Sequence, residues 1–459
     1  MVAKYPDHND LPQALQWLGN DYYRVQDYEK AQNSYRQVVD NWPASEYALG
    51  AQKGLILSSV QLKDDPNTNA AIDDLFARFA GRGDVAQAAA EVGDQCRRDL
   101  GNYAAARRLY EGLLARYPES TQAMRAQRGI VNIDIKAGNY EAAEAGIKTI
   151  LAKYAEHDDL PQAFCWLGND YLDARQDDKA AQCYQYVIDN RPDSNAAMSS
   201  WAGIGRVHIR RGDDQAAANV VNKIIADFKD NPEVAAAVFQ IGEEYYYMAF
   251  VDPNTCQTVK SVEDINNAKG IWERIIAQCP QSGSIGLQHA NYFSATCYFR
   301  LGQYDKALGC YQRVIDNWPG YQYAWSAQCL IGECYENLKQ LGNLPPSAAD
   351  PNIVEAYKGV IEKYPDCSLV GHACLKLGTM NFGASQWDEA ARYFGLFLEK
   401  RPGDVQEATA LYHLGRTYEN MGQFDTATEV YRMFLEKAEP GDYRIETVTA
   451  KVKELGGLK

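Results

Sequence analysis

Asp10-Leu11-Pro12-Gln13-Ala14 and Trp17-Leu18-Gly19-Asn20-Asp21-Tyr22 return as Asp159-Leu160-Pro161-Gln162-Ala163 and Trp166-Leu167-Gly168-Asn169-Asp170-Tyr171. Around these blocks Lys4 to Pro43 aligns with Lys153 to Pro192 without a gap, at an offset of 149 residues. A chain that repeats itself has to be read by its period before its length of 459 residues is divided into domains. With Pro12 as position 1, the first unit carries Leu18 at 7, Gly19 at 8, Tyr22 at 11, Ala31 at 20, Tyr35 at 24 and Pro43 at 32. Further units start near 49, 87, 124, 161, 198 and 235, then 288 and 325, then 371 and 408, and the commonest spacing is 37.

Each conserved slot within the chain has a physical reason. Small residues at position 8, from Gly19 to Gly415, and at position 20, from Ala31 to Ala427, let two antiparallel helices approach closely. The aromatic at position 24, as in Tyr35, Tyr110, Tyr184, Trp272 and Tyr431, lies one turn beyond that alanine on the same face. Proline then stops the second helix, at Pro43, Pro118, Pro192, Pro280, Pro319, Pro365 and Pro402, and pushes the preceding residue towards extended geometry. A glycine or amide, as in Gly138-Asn139-Tyr140 or Gln26-Asp27-Tyr28, closes the first helix.

This pattern of Leu-Gly-x-x-Tyr, Ala-x-x-x-aromatic and Pro resembles the tetratricopeptide repeat over nearly the whole chain. The resemblance implies an all-α, right-handed α-solenoid, a superhelix of about eleven helical hairpins. Such units are usually 34 residues long; the three added here fall after the proline, as in Trp42-Pro43-Ala44-Ser45-Glu46-Tyr47-Ala48. That longer linker is similar to a bacterial envelope subtype that includes outer-membrane assembly lipoproteins and Tol-Pal accessory proteins. Position 27, often small in the family, is Val38, Val187, Phe397 or Phe434 here, which predicts wider packing of successive units. The second unit, about 49 to 83, is the most degenerate, and Lys63-Asp64-Asp65-Pro66-Asn67 reads as an enlarged turn.

The organisation expected is the end of a preceding truncated repeat at 1–11, N-terminal units over 12–246, an insertion at 247–267, C-terminal units over 268–440 interrupted at 338–352, and a helix over 441–459. Val2-Ala3-Lys4-Tyr5-Pro6 matches Leu151-Ala152-Lys153-Tyr154-Ala155, so the chain starts in mid-array and is expected to be a fragment of a longer repeat protein. The helix over Tyr443 to Leu455 is rich in lysine and glutamate and is expected to cover the last unit.

Composition and motifs narrow the function classes. Forty-six lysines and arginines against 61 aspartates and glutamates leave a formal charge of −15, unsuited to a nucleic-acid or anionic lipid partner. No apolar run is long enough to span a membrane. Gly-rich phosphate loops, His-Glu-x-x-His, Gly-x-Ser-x-Gly and Cys-x-x-Cys are all missing, which points away from an enzyme and from a bound cofactor. Cys367, His372 and Cys374 form the nearest approach to a metal cluster, but side chains two apart on a helix do not face each other, so no metal is expected. Glu243, Glu244, Glu333 and Glu336 lie on first helices and read as solvated charge rather than glycosidase carboxylates. Eleven cysteines, several at equivalent repeat positions, read as reduced packing residues. Those thiols favour a cytoplasmic setting, whereas the resemblance leans towards the periplasm or cell envelope.

In tetratricopeptide arrays, first-helix positions 2, 5, 9 and 12 usually face the concave surface. Carried onto this sequence, the resemblance marks Gln16, Asn20, Tyr23, Arg128, Asn132, Asn169, Arg206, Tyr292, Phe299, Tyr412 and Arg416 as partner-binding. Amides bond to backbone groups and aromatics supply contact area, so this lining suits a peptide or protein segment. Arg128 and Asn132 stand where chaperone-binding members hold a carboxylate, but Gln162 and Trp166 replace the further basic residues, which argues against a carboxylate clamp. The function expected is a non-enzymatic protein-interaction scaffold. The alternative is a structural module that self-associates through its terminal repeats.

Overall fold

The computed structural model describes residues 10–250, 258–279 and 285–456. Val2 to Pro6, the Asp252 to Cys256 part of the expected first insertion, and Pro280 lie outside the described residues. Among the described residues twenty-three helices follow one another, with one isolated antiparallel bridge from Phe250 to Val259. The chain divides into two compact units, residues 1–216 and 217–459.

In the first unit, α1 (Leu11–Arg24) pairs with α2 (Tyr28–Asn41), α3 (Ala48–Gln61) with α4 (Asp65–Arg78), and α5 (Val85–Arg98) with α6 (Tyr103–Arg116). The pairs α7 (Ala123–Lys136) with α8 (Tyr140–Tyr154) and α9 (Leu160–Asp173) with α10 (Asp177–Asn190) follow, and α11 (Asn195–Arg210) packs on both α9 and α10. First helices also touch in sequence, α1 on α3, α3 on α5, α5 on α7, α7 on α9 and α9 on α11, so their outer positions form one continuous face. The architecture is an α-solenoid of helical hairpins.

Aromatic side chains at position 24 tie these hairpins together. Tyr35, Tyr110 and Tyr184 are at most 2% exposed. Each ring is wedged between two glycines, one on its own first helix and one on the next. A Cβ built on Gly19 would lie 2.5 Å from Tyr35 Cε1, and one on Gly54 would lie 2.5 Å from Tyr35 Cε2. Gly93 and Gly129 flank Tyr110, and Gly168 and Gly203 flank Tyr184, in the same way. Position 20 is equally strict: Ala31, Ala106, Ala143 and Ala180 are fully buried. Burying one such aromatic contributes roughly 1.5–3 kcal/mol.

In the second unit, α12 (Asp214–Asp227) carries the boundary. The pairs are α13 (Val234–Met248) with α14 (Val262–Gln278), α15 (Ile285–Arg300) with α16 (Tyr304–Asn317), α17 (Ala324–Gln340) with α18 (Pro346–Lys363), α19 (Val370–Gly383) with α20 (Trp387–Lys400), and α21 (Glu407–Asn420) with α22 (Phe424–Lys437). A last helix, α23 (Arg444–Gly456), packs on α22 and buries Val448 and Leu455. Trp272, Tyr311, Tyr357, Phe394 and Tyr431 repeat the buried aromatic slot at 0–1% exposure.

Two expectations need correction. Lys63-Asp64-Asp65-Pro66-Asn67 is no enlarged turn: α3 ends at Gln61, Lys63 takes the left-handed conformation at φ 56°, and Asp64 caps α4 by accepting from the Asn67 N–H at 3.1 Å. The unit near 87 begins its first helix one residue early, and a longer turn, Asp99-Leu100-Gly101-Asn102, absorbs the shift and brings Gly93 into the glycine slot. Over 338–352 the extra length is carried by α17 and α18, which run to 17 and 18 residues with Leu341 to Pro345 between them. Within 247–267, α14 starts at Val262, where Ser261 caps it by accepting from the Asp264 N–H.

Candidate interaction surface

On the first-helix face of the first unit, position 9 belongs to the aromatic pillars. Tyr35 donates its hydroxyl proton to Asn20 Oδ1 at 2.8 Å and Tyr184 donates to Asn169 Oδ1 at 2.6 Å. Tyr110 donates to Asp94 Oδ1 at 2.5 Å, which makes Asp94 the equivalent of the two asparagines. Asn20 is exposed and Asn169 half-buried, so both present their remaining polar atoms at the surface. Gln16 is half-buried with its amide close over Gly50 on α3, and Tyr23 packs edge-on to Tyr28 at 5.2 Å between centroids. Arg206 is half-buried near Tyr184.

Asn132 is not a surface residue. It is 2% exposed and accepts from Arg97 Nη1 at 2.8 Å, and its amide lies beside the Asp170 carboxyl, whose pKa it lowers. The reason lies next door: α5 brings Arg97 and α9 brings Asp170 onto the same turn of α7, and an amide can satisfy both a donor and an acceptor.

Between α5, α7 and α9 lies a cavity of about 580 Å³ lined by Asp94, Arg97, Arg98, Arg125, Arg128 and Trp166, among others. Asp94 is 4% exposed and accepts from Arg125 Nε at 2.8 Å, with Arg97 Nη2 at 3.5 Å. Arg128 differs from its neighbours. Its guanidinium carbon stands 4.8 Å from the Trp166 ring centre, and no hydrogen bond or ion pair reaches it among the described residues. Burial first, and the charge of Arg97 second, pull its pKa down. Burial pushes the Asp170 carboxyl up, and Asp170 Oδ2 has no hydrogen-bond partner. An arginine fork that is backed by an indole and has no protein partner is chemically suited to a carboxylate or another planar anion.

Sequence reasoning put Arg128 on this surface but missed Asp94, Arg97, Arg125 and Trp166 as its company. The available signal for Asp94 was its equivalence to Asn20 and Asn169, hidden by the one-residue shift in its unit. In the sequence Trp166 is visible as part of the repeated block and as the replacement of a basic residue, not as a platform for Arg128.

In the second unit, Tyr292 is half-buried inside an aromatic cluster, stacked on Tyr323 at 5.1 Å and hydrogen-bonded to Ser326 Oγ at 2.9 Å. Phe299 is half-buried against the edge of Tyr304. Tyr412 lies under the guanidinium of Arg444 from α23 at 5.3 Å, and Arg416 stands 4.8 Å from the Phe382 ring centre. Lys451 of α23 also reaches Glu419 Oε1 at 2.6 Å, so α23 covers part of the lining expected on α21. Glu336 is paired with Lys376 at 2.6 Å, and Cys374 is buried with Phe397 and Ala410. Among the described residues no helix is long and apolar enough to cross a membrane.

Comparison with known proteins bears on the repeat itself. A family model described as tetratricopeptide repeat matches residues 13–45, 95–120, 294–321 and 409–439, and a second of the same description matches 167–244. No curated protein matches the chain. Among solved structures, PilW, a widely conserved type IV pilus biogenesis factor, is 19% identical over 50% of this chain and 100% of its own, with a TM-score of 0.30. A tetratricopeptide repeat protein from Parabacteroides merdae is 14% identical over 59% of this chain and 94% of its own, at 0.32. The human IFIT1 dimer with m7Gppp-AAAA is 13% identical over 96% of this chain and 93% of its own, also at 0.32.

Proposed function

Since this chain is a tetratricopeptide repeat protein, we propose that it is a non-enzymatic scaffold whose first-helix face binds a peptide or protein segment. Repeats of this kind support protein–protein interaction in general. The finer reading is that the partner lies along the first helices and seats an acidic side chain or terminal carboxylate against Arg128 and Trp166. The observation that carries it is the unpaired Arg128 guanidinium held over Trp166 at the cavity between α5, α7 and α9. A pre-formed surface avoids part of the ordering entropy of binding.

Fluorescence polarisation with a panel of labelled peptides, acidic and neutral, with free and amidated C-termini, tests this directly. Acidic or free-carboxylate peptides are expected to bind preferentially, less tightly at higher salt, and Arg128→Gln should weaken them about 10-fold or more. Equal affinity in Arg128→Gln, with an unchanged circular dichroism spectrum, sinks the Arg128 reading. Binding to no peptide, together with a mass by light scattering that rises with concentration, would favour self-assembly instead.

A further inference from the structure

We propose that Cys329, Glu333 and His372 form a divalent-metal site of the zinc class with one coordination position open. Cys329 and Glu333 stand four residues apart on α17, where one turn of helix puts them on the same face. His372 enters from the first turn of α19. The three donor atoms, Sγ, a carboxylate oxygen and a ring nitrogen, lie within 4.8 Å of one another, and Glu333 Oε1 is 3.7 Å from His372 Nε2. Tetrahedral zinc, with sulfur near 2.3 Å and nitrogen or oxygen near 2.0–2.2 Å, places its ligand atoms roughly 3.3–3.8 Å apart. The carboxylate–imidazole separation already fits, and closing the longest gap takes about 1 Å of side-chain movement. Glu333 and His372 are both partly exposed, so their side chains have torsional freedom to adjust.

An independent feature points the same way. His372 Nε2 is enclosed and has no hydrogen-bond partner among the described residues, which leaves an imidazole lone pair or N–H unsatisfied where a metal would engage it. The surroundings keep the ring in its ligand form. Burial, followed by the charge of Lys376, lowers the His372 pKa. Lys376 is itself paired with Glu336 at 2.6 Å, so the cation nearest the site is largely neutralised. Cys329 is fully buried, and burial pushes its thiol well above the ordinary range, so without metal it keeps its proton. On binding, the S–H bond breaks, the proton leaves to solvent and the sulfur–metal bond forms, with no change of oxidation state. Position 372 was visible in the sequence only beside Cys367 and Cys374; its ligand company comes from the preceding unit. The site is independent of the Arg128 reading, because it uses different residues in the other compact unit.

The test uses the full chain, reduced and stripped of metal, titrated with zinc against a chromophoric chelator and with cobalt(II) as a spectroscopic probe. The expected result is one zinc per chain and a cobalt complex with a near-ultraviolet thiolate charge-transfer band. Cys329→Ser should abolish that band, His372→Ala and Glu333→Gln should weaken zinc about 10-fold or more, and Cys310→Ser should change neither. If Cys329→Ser disturbs the packing of α17, the two half-buried variants still decide, with folding checked by circular dichroism. No zinc binding to the reduced wild type, or unaltered affinity in both His372→Ala and Glu333→Gln, overturns the site.

Discussion

Asp94 shows how one residue holds the cavity together. Burial would raise its carboxyl, but the hydrogen bonds from Tyr110 and Arg125 and the charge of Arg97 outweigh burial and hold it below the ordinary carboxylate value. A depressed folded pKa contributes stability above the unfolded value, near ~4, and that stability is lost as pH falls through the folded value. The melting temperature of the wild type should therefore drop faster than that of Asp94→Asn between about pH 5 and pH 2. Parallel melting curves for the two proteins over that interval would refute the assignment. The equivalent Asn20 and Asn169 hold their tyrosines without a charge and carry no such acid sensitivity.

At the scale of the element, the short turn inside ten of the hairpins is the recurring device. It closes the first helix with a Schellman motif: the Gln176 N–H bonds the Tyr171 carbonyl and the Arg175 N–H bonds the Leu172 carbonyl. One residue per turn takes a positive φ, glycine at 101, 138, 212, 302, 342 and 422, but Gln26, Lys63, Arg175 and Ser385 elsewhere. A side chain in the left-handed region costs about 1 kcal/mol, partly offset by the greater unfolded-state freedom of glycine. Arg175→Gly, at an exposed position, should raise stability by about 0.5 kcal/mol, read as a higher urea midpoint at constant slope. A lower midpoint would mean that the Arg175 side chain contributes more than its backbone costs.

At the scale of the whole molecule, neighbouring hairpins within each compact unit touch one another, so damage should stay local. A Cβ on Gly168 falls well inside van der Waals contact of Tyr184, which Gly203 flanks from the other side. Gly168→Ala should cost about 1–3 kcal/mol by overpacking. Amide exchange should then speed up in α9, α10 and α11 while α21 and α22 keep their protection. Uniform loss of protection along the chain would show cooperativity beyond nearest neighbours.

The period, the small residues and the buried aromatics were legible in the sequence, and they determined the hairpin stack. Their physics is local: a glycine, an alanine one helix on and a ring one turn beyond it select the same helix pair wherever they recur. The sites were not legible, because they depend on which side chains meet across helices from different units. Asn132 looks like a surface amide until Arg97 and Asp170 enclose it. Arg128 acquires meaning only over Trp166, and His372 only beside Cys329 and Glu333. Position within a repeat specifies a face of a helix; only the packing of neighbouring helices decides whether that face is solvated, satisfied or left with an unpaired group that a ligand can fill.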